Sequence, residues 1–147
     1  MKKLYSYLQE AVGITLTDIQ MEQFNKYYEM LVEKNKVMNL TAITERDEVE
    51  LKHFIDSVAL GAYFDLKDKA ISVIDVGTGA GFPGIVLKIV YPNLKITLVD
   101  SLLKRVKYLN TIIKELELEN INAIHSRGEE FKEKFDVVTA RAVANIE

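Results

Sequence analysis

Val73-Ile74-Asp75-Val76-Gly77-Thr78-Gly79-Ala80-Gly81-Phe82-Pro83-Gly84 decides how the rest of the chain is read, because an apolar strand here runs into a glycine-rich turn and the turn into a helix. Gly77, Gly79 and Gly81 have no Cβ, so they can take positive φ and let a ligand approach the backbone. Pro83 suits the first turn of a helix, where its missing N–H would be unpaired anyway. The next apolar run, Ile96-Thr97-Leu98-Val99, ends in Asp100, nineteen positions after Gly81. A βαβ unit places a carboxylate there to accept hydrogen bonds from ribose hydroxyls. Strand, turn, helix, strand and acid follow in the order that a nucleotide-like ligand requires.

Downstream of this unit the alternation continues, with a helix from Ser101 to about Leu116 and strands over 121–125 and 135–139. It predicts an α/β fold with four strands, whose parallel sheet is covered on both faces and joined by right-handed crossovers. Upstream there are only helices. Leu4, Leu8, Ala11 and Val12 recur at helical spacing and Gly13 can close that helix in a left-handed cap. Thr17 and Gln20 form a capping box for a second helix running to about Asn35, whose stripe of Phe24, Tyr27, Tyr28, Leu31 and Val32 reads as core. Thr44 with Asp47 marks the start of a third helix. In that helix Leu51, Phe54, Ile55, Val58, Ala59 and Ala62 make an apolar ladder that should be buried. His53, Asp56 and Ser57 lie on a neighbouring face, either as plain surface or as part of a site in which Asp56 orients the imidazole. The charged connector Asp65-Leu66-Lys67-Asp68-Lys69 divides a helical extension, 1–66, from an α/β domain, 67–147.

With 147 residues, 48% of them hydrophobic, the chain holds one ordinary core. A formal charge of −3 and a pI near 5.5 exclude adhesion to nucleic acid by bulk basicity, so any such contact must be local. Cysteine is absent, which excludes disulfides, thiolate metal sites and cysteine nucleophiles in these residues and fits an intracellular compartment. Lys2 and Lys3 are followed by Gln9 and Glu10 rather than a signal-peptide core. No run approaches the ~18 apolar residues of a membrane span. The expectation is a soluble, cytoplasmic protein with no membrane contact.

Gly79-Ala80-Gly81-Phe82-Pro83-Gly84 satisfies G-x-G-x-x-G, so a nicotinamide or flavin site must be weighed. The wider pattern sets Asp75 two residues before Gly77, where a carboxylate would face a cationic amine and repel a pyrophosphate. S-adenosylmethionine carries an amine and no phosphate, and is the cofactor favoured. Separately, Asp75 could cap the turn and Asp100 could serve the next helix. Their joint spacing around three glycines favours a cradle.

Asn39-Leu40-Thr41-Ala42-Ile43-Thr44, Leu51-Lys52-His53-Phe54-Ile55-Asp56-Ser57, the glycine stretch extended through Phe82-Pro83-Gly84, Val99-Asp100-Ser101 with Lys104-Arg105, and Thr139-Ala140-Arg141-Ala142-Val143-Ala144 together resemble the RsmG family, also called GidB. The resemblance implies a Rossmann-like class I S-adenosylmethionine-dependent methyltransferase sheet. It also implies methylation of a guanine at N-7 in the 16S ribosomal RNA of the small subunit. By the resemblance, cofactor contacts fall on Gly77, Phe82, Gly128, Glu129 and Arg141, with Asp100 on the ribose. Gly128-Glu129 stands where the family more often has Ala-Glu. Guanine N-7 offers a lone pair, so attack on the sulfonium methyl group demands alignment and desolvation rather than a strong base. Cytosine carbon 5 would need the cysteine this stretch lacks, and Thr139-Ala140-Arg141-Ala142 is not the Asn/Asp-Pro-Pro-Tyr loop of exocyclic amine methylation.

Arg141 is the candidate for positioning substrate, through guanine O6 or a phosphate, with a salt bridge at the sheet end as its plain alternative. His53 and Asp56 are further candidates if the third helix covers the strand ends. Lys104, Arg105 and Lys107 could touch RNA backbone or simply be solvated. No metal ligands are assigned. The resemblance implies a complete sheet of seven strands, so the expectation is a chain truncated after the fourth, with strands in the order 3-2-1-4 and strand four an open edge. Such a chain would retain weak cofactor binding and lose turnover. The competing expectation is a non-catalytic cofactor- or RNA-binding assembly protein with the same fold.

Overall fold

The computed structural model describes residues 1–127, 134–140 and 143–146. Four parallel strands form its centre: β1 (Ser72–Val76), β2 (Lys95–Asp100), β3 (Ile121–His125) and β4 (Val137–Ala140). A fifth, β5 (Val143–Ile146), pairs antiparallel with β4, giving the order β3-β2-β1-β4-β5. The expected order 3-2-1-4 is therefore present. The expected open edge is not, because β5 pairs with β4 and takes up that strand's unpaired backbone groups.

β1 is central, with β2 on one side and β4 on the other, so the chain leaves it in opposite directions and a crevice opens at the carboxyl ends of the strands. α1 (Lys2–Tyr7) continues through a π-helical turn, Leu8–Val12, to Gly13 in the left-handed cap read from the sequence. α2 (Asp18–Met38) starts with the predicted capping box, both of its hydrogen bonds present, and runs one turn further than expected. Gln20 also donates to the Ile89 carbonyl and Gln23 to that of Leu116. Those oxygens lie at the carboxyl ends of α5 (Gly84–Val90) and α6 (Leu103–Glu115), which lack intrahelical partners of their own.

The third helical run departs from its sequence reading. α3 (Arg46–Val49) has Glu45, not Thr44, at its N-cap and makes no side-chain cap there. It passes through a π-helical segment, Glu50–Ile55, into α4 (Asp56–Gly61). Each π turn is wider than an α turn, so the predicted ladder loses register. Leu51 is 49% exposed, whereas Phe54, Val58 and Gly61 face inward. Glu50 is buried instead and accepts the Leu4 N–H at 2.8 Å in the first turn of α1.

The helices and the sheet share one apolar cluster, in which Leu4, Phe24, Tyr27, Leu31 and Phe54 meet Ile85, Leu87, Leu98 and Leu109. Burial raises the Tyr27 phenol well above its usual 10.0, and raises that of Tyr108 as well. An unfolded chain releases these protons near pH 10, while the fold retains them. Stability is thus intact below 10 and falls as pH climbs above it, by about 1.4 kcal/mol per unit for each tyrosine and about 2.7 for the pair. Lys88, whose pKa burial lowers, acts in the opposite sense below 10.5 and offsets part of this loss. Urea titrations between about pH 9 and pH 11 should show a falling midpoint. A flat one would contradict the burial of these phenols.

Candidate active site

The turn between β1 and α5 takes its shape from two carboxylates, one on each side. Asp75, 0% exposed, accepts from the Thr78 hydroxyl at 2.7 Å, the Gly84 N–H at 3.0 Å and, across the sheet, the Thr139 hydroxyl at 3.0 Å. Asp100, 3% exposed, accepts from the Gly79 N–H and the Leu102 N–H, each at 2.9 Å. Gly77, Gly79 and Gly81 all have positive φ, as the sequence required. Their reasons differ. A Cβ on Gly77 would meet nothing within 4 Å, so this glycine borders open space. One on Gly81 would lie 2.6 Å from the Tyr27 hydroxyl, which donates to the Ala80 carbonyl at 2.6 Å and ties α2 to the turn.

Direct contact between Asp75 and a ligand amine was the expectation. Instead Asp75 is sealed beneath the turn and its oxygens meet the turn's own donors, because Thr139 lies beside it in the β1–β4 register. Asp100 accepts one N–H on each oxygen, which leaves each a lone pair for a ribose hydroxyl. Arg105, for which the sequence left RNA contact or a solvated face open, stands 3.7 Å from Asp100. Sequence reasoning passed over Leu102, which is 48% exposed beside this acid and offers an apolar surface to a purine face. Its place two residues after the strand's acid was the available signal.

Most of the turn's N–H groups are committed internally. Those of Gly77 and Thr78 donate to the Val99 carbonyl, those of Gly81 and Phe82 to that of Thr78, and that of Ile85 to that of Gly81. Gly79 and Gly84 donate to the two aspartates. A pyrophosphate is held by such N–H groups at a helix N-terminus, and here a buried carboxylate takes that place.

His53 and Asp56 do line one recess, about 330 Å³ in volume, with Lys52, Ser57, Leu60, Phe82 and Pro83. The imidazole stacks on Phe82 with centroids 4.5 Å apart and planes 10° apart, and its Nε2 lies 2.8 Å from the Thr41 hydroxyl. Thr41, another residue the sequence reading did not single out, is itself fixed by Asn35 and Ile43. Gly128, Glu129 and Arg141 lie outside the described residues.

The sequence profile of GidB, described as rRNA small subunit methyltransferase G, matches residues 20–147. The chain belongs to the GidB family. A ribosomal RNA small subunit methyltransferase G from Staphylococcus saprophyticus is 53% identical over 139 residues, spanning 91% of this chain and 58% of that protein. One from Macrococcus caseolyticus is 54% identical over 149 residues, spanning 98% and 62%. This GidB chain thus covers about three fifths of the length of the curated relatives it matches. Among solved structures, a protein-L-isoaspartate O-methyltransferase superposes with a TM-score of 0.64 at 17% identity, covering 95% of this chain and 47% of that one. A SAM-dependent methyltransferase from Aquifex aeolicus gives 0.51 at 26% identity, covering 65% and 51%. The GidB chain therefore has the Rossmann-like methyltransferase fold with N-terminal helices added.

Proposed function

We propose that this chain binds S-adenosylmethionine at the carboxyl ends of β1 and β2. As part of its whole protein it would direct methyl transfer, in the cytoplasm, to N-7 of a guanine in the 16S RNA of the small ribosomal subunit. The observation that carries the cofactor reading is the glycine turn itself, with most of its N–H groups spent internally and a buried carboxylate at the start of α5. That arrangement disfavours a phosphate and tolerates a cation.

Each residue then has a task. Asp100 would accept the ribose hydroxyls, Leu102 would cover one face of the adenine, and Gly77 would let the methionine portion lie close to the backbone. Asp75 would hold the turn's shape from beneath. From the family resemblance, Gly128, Glu129 and Arg141 would add contacts to the adenine and to the substrate. When bound, the cofactor supplies an electrophilic methyl carbon on sulfur. The protein's part is to align guanine N-7 with it and to exclude water, since that nitrogen already carries a lone pair.

Calorimetry tests the cofactor step directly. S-adenosylmethionine should bind and NAD should not; the reverse result would restore an oxidoreductase reading. Binding of S-adenosylmethionine without labelled methyl transfer into small ribosomal subunits would leave a cofactor-binding module and remove the catalytic assignment from this chain.

A further inference from the structure

The recess beside the glycine turn has chemistry that the cofactor does not use. Its volume, about 330 Å³, is the capacity of about ten waters at ~30 Å³ each, which accommodates one purine base. One wall is the His53 ring, held flat against Phe82 on a face and by Thr41 at Nε2. Pro83 also lines the recess, and Phe82 and Pro83 are the last residues of the turn before α5, so recess and cofactor site adjoin. Asp56 stands at the start of α4, exposed, and among the described residues its carboxylate has no hydrogen-bond or ion-pair partner. Among the described residues Lys52 pairs with Glu48, at 3.5 Å in solvent, a contact easily exchanged for a phosphate.

An ionised aspartate only accepts hydrogen bonds. Guanine alone among the four RNA bases presents two adjacent donors, N1–H and the N2 amine, on its Watson–Crick edge. Adenine and cytosine each place an acceptor beside their one donor group, and uracil flanks its single N–H with two carbonyls. We infer that this recess seats the guanine to be methylated, with Asp56 reading N1–H and the N2 amine while the fixed His53 ring and Pro83 flank the base. N-7 lies on the opposite edge of the purine and stays free for the methyl donor. The inference rests on the methyltransferase reading above and adds to it the residue that selects the base.

The test uses the chain with saturating S-adenosylmethionine, and GMP or AMP as probe, followed through the imidazole NMR signals of its two histidines. GMP should shift His53 and leave His125 unmoved, and should bind about tenfold more tightly than AMP. Asp56→Asn should bring GMP down to the level of AMP with unchanged affinity for S-adenosylmethionine. Equal binding of GMP and AMP, GMP binding indifferent to Asp56→Asn, or no response at about 10 mM GMP would each overturn the assignment while the cofactor reading stands. Asp56-dependent GMP binding by a chain that takes up no S-adenosylmethionine would sink the cofactor reading alone.

Discussion

Asp75→Ala is expected to lower the unfolding free energy by about 3–5 kcal/mol, because three donors would lose their acceptor in a site closed to water. The Thr78 hydroxyl, the Gly84 N–H and the Thr139 hydroxyl all converge on this one carboxylate. Between them they join the turn, the start of α5 and the far strand β4. The loss should therefore appear in urea unfolding as a lower midpoint, with binding of S-adenosylmethionine abolished even where the variant remains folded. Asp75→Asn should recover at least half of the stability, since the amide oxygen can still serve Gly84 and a threonine hydroxyl can turn round to accept from the amide nitrogen. A cost below about 1 kcal/mol for the alanine variant would mean that the turn is held by something else.

Asp100→Ala should weaken S-adenosylmethionine binding about a hundredfold, the equivalent of two hydrogen bonds from ribose to a charged acceptor. Its effect on stability should be smaller, about 1–2 kcal/mol. Of the two N–H groups it leaves, that of Gly79 is buried, while that of Leu102 belongs to an exposed residue and can turn to water. The two aspartates are thus expected to separate: the first mainly shapes the protein, the second mainly holds the ligand. Calorimetry and urea titration on the same samples measure both quantities. An affinity for S-adenosylmethionine that survives Asp100→Ala would place the ribose elsewhere.

Features set by near neighbours in the chain were legible before any coordinates. The Thr17–Gln20 capping box, the left-handed Gly13 and the positive φ of the three turn glycines each depend on a few adjacent residues, and each is present. The parallel sheet followed from alternation, whereas its order 3-2-1-4 came from the family resemblance and is present. What escaped depends on distant partners. The burial of Asp75 is sealed by Thr139, 64 positions away, and no local pattern announces that pairing. The π-helical segment over Glu50–Ile55 redirected Leu51 outward, since a 3.6-residue period cannot register a wider turn. The recess was foreseen only as a possibility, because the two residues that fix His53 are remote from it in the chain, Thr41 before it and Phe82 after it.

The tie between Tyr27 and the Ala80 carbonyl, pressed against the bare Gly81, makes two remote positions hostage to each other. A side chain at 81 would meet that hydroxyl and the Ile85 side chain at a φ of +104°, and a smaller residue at 27 surrenders the hydroxyl that anchors the loop. The aromatic on an outlying helix thus belongs to the same unit as the nucleotide cradle itself.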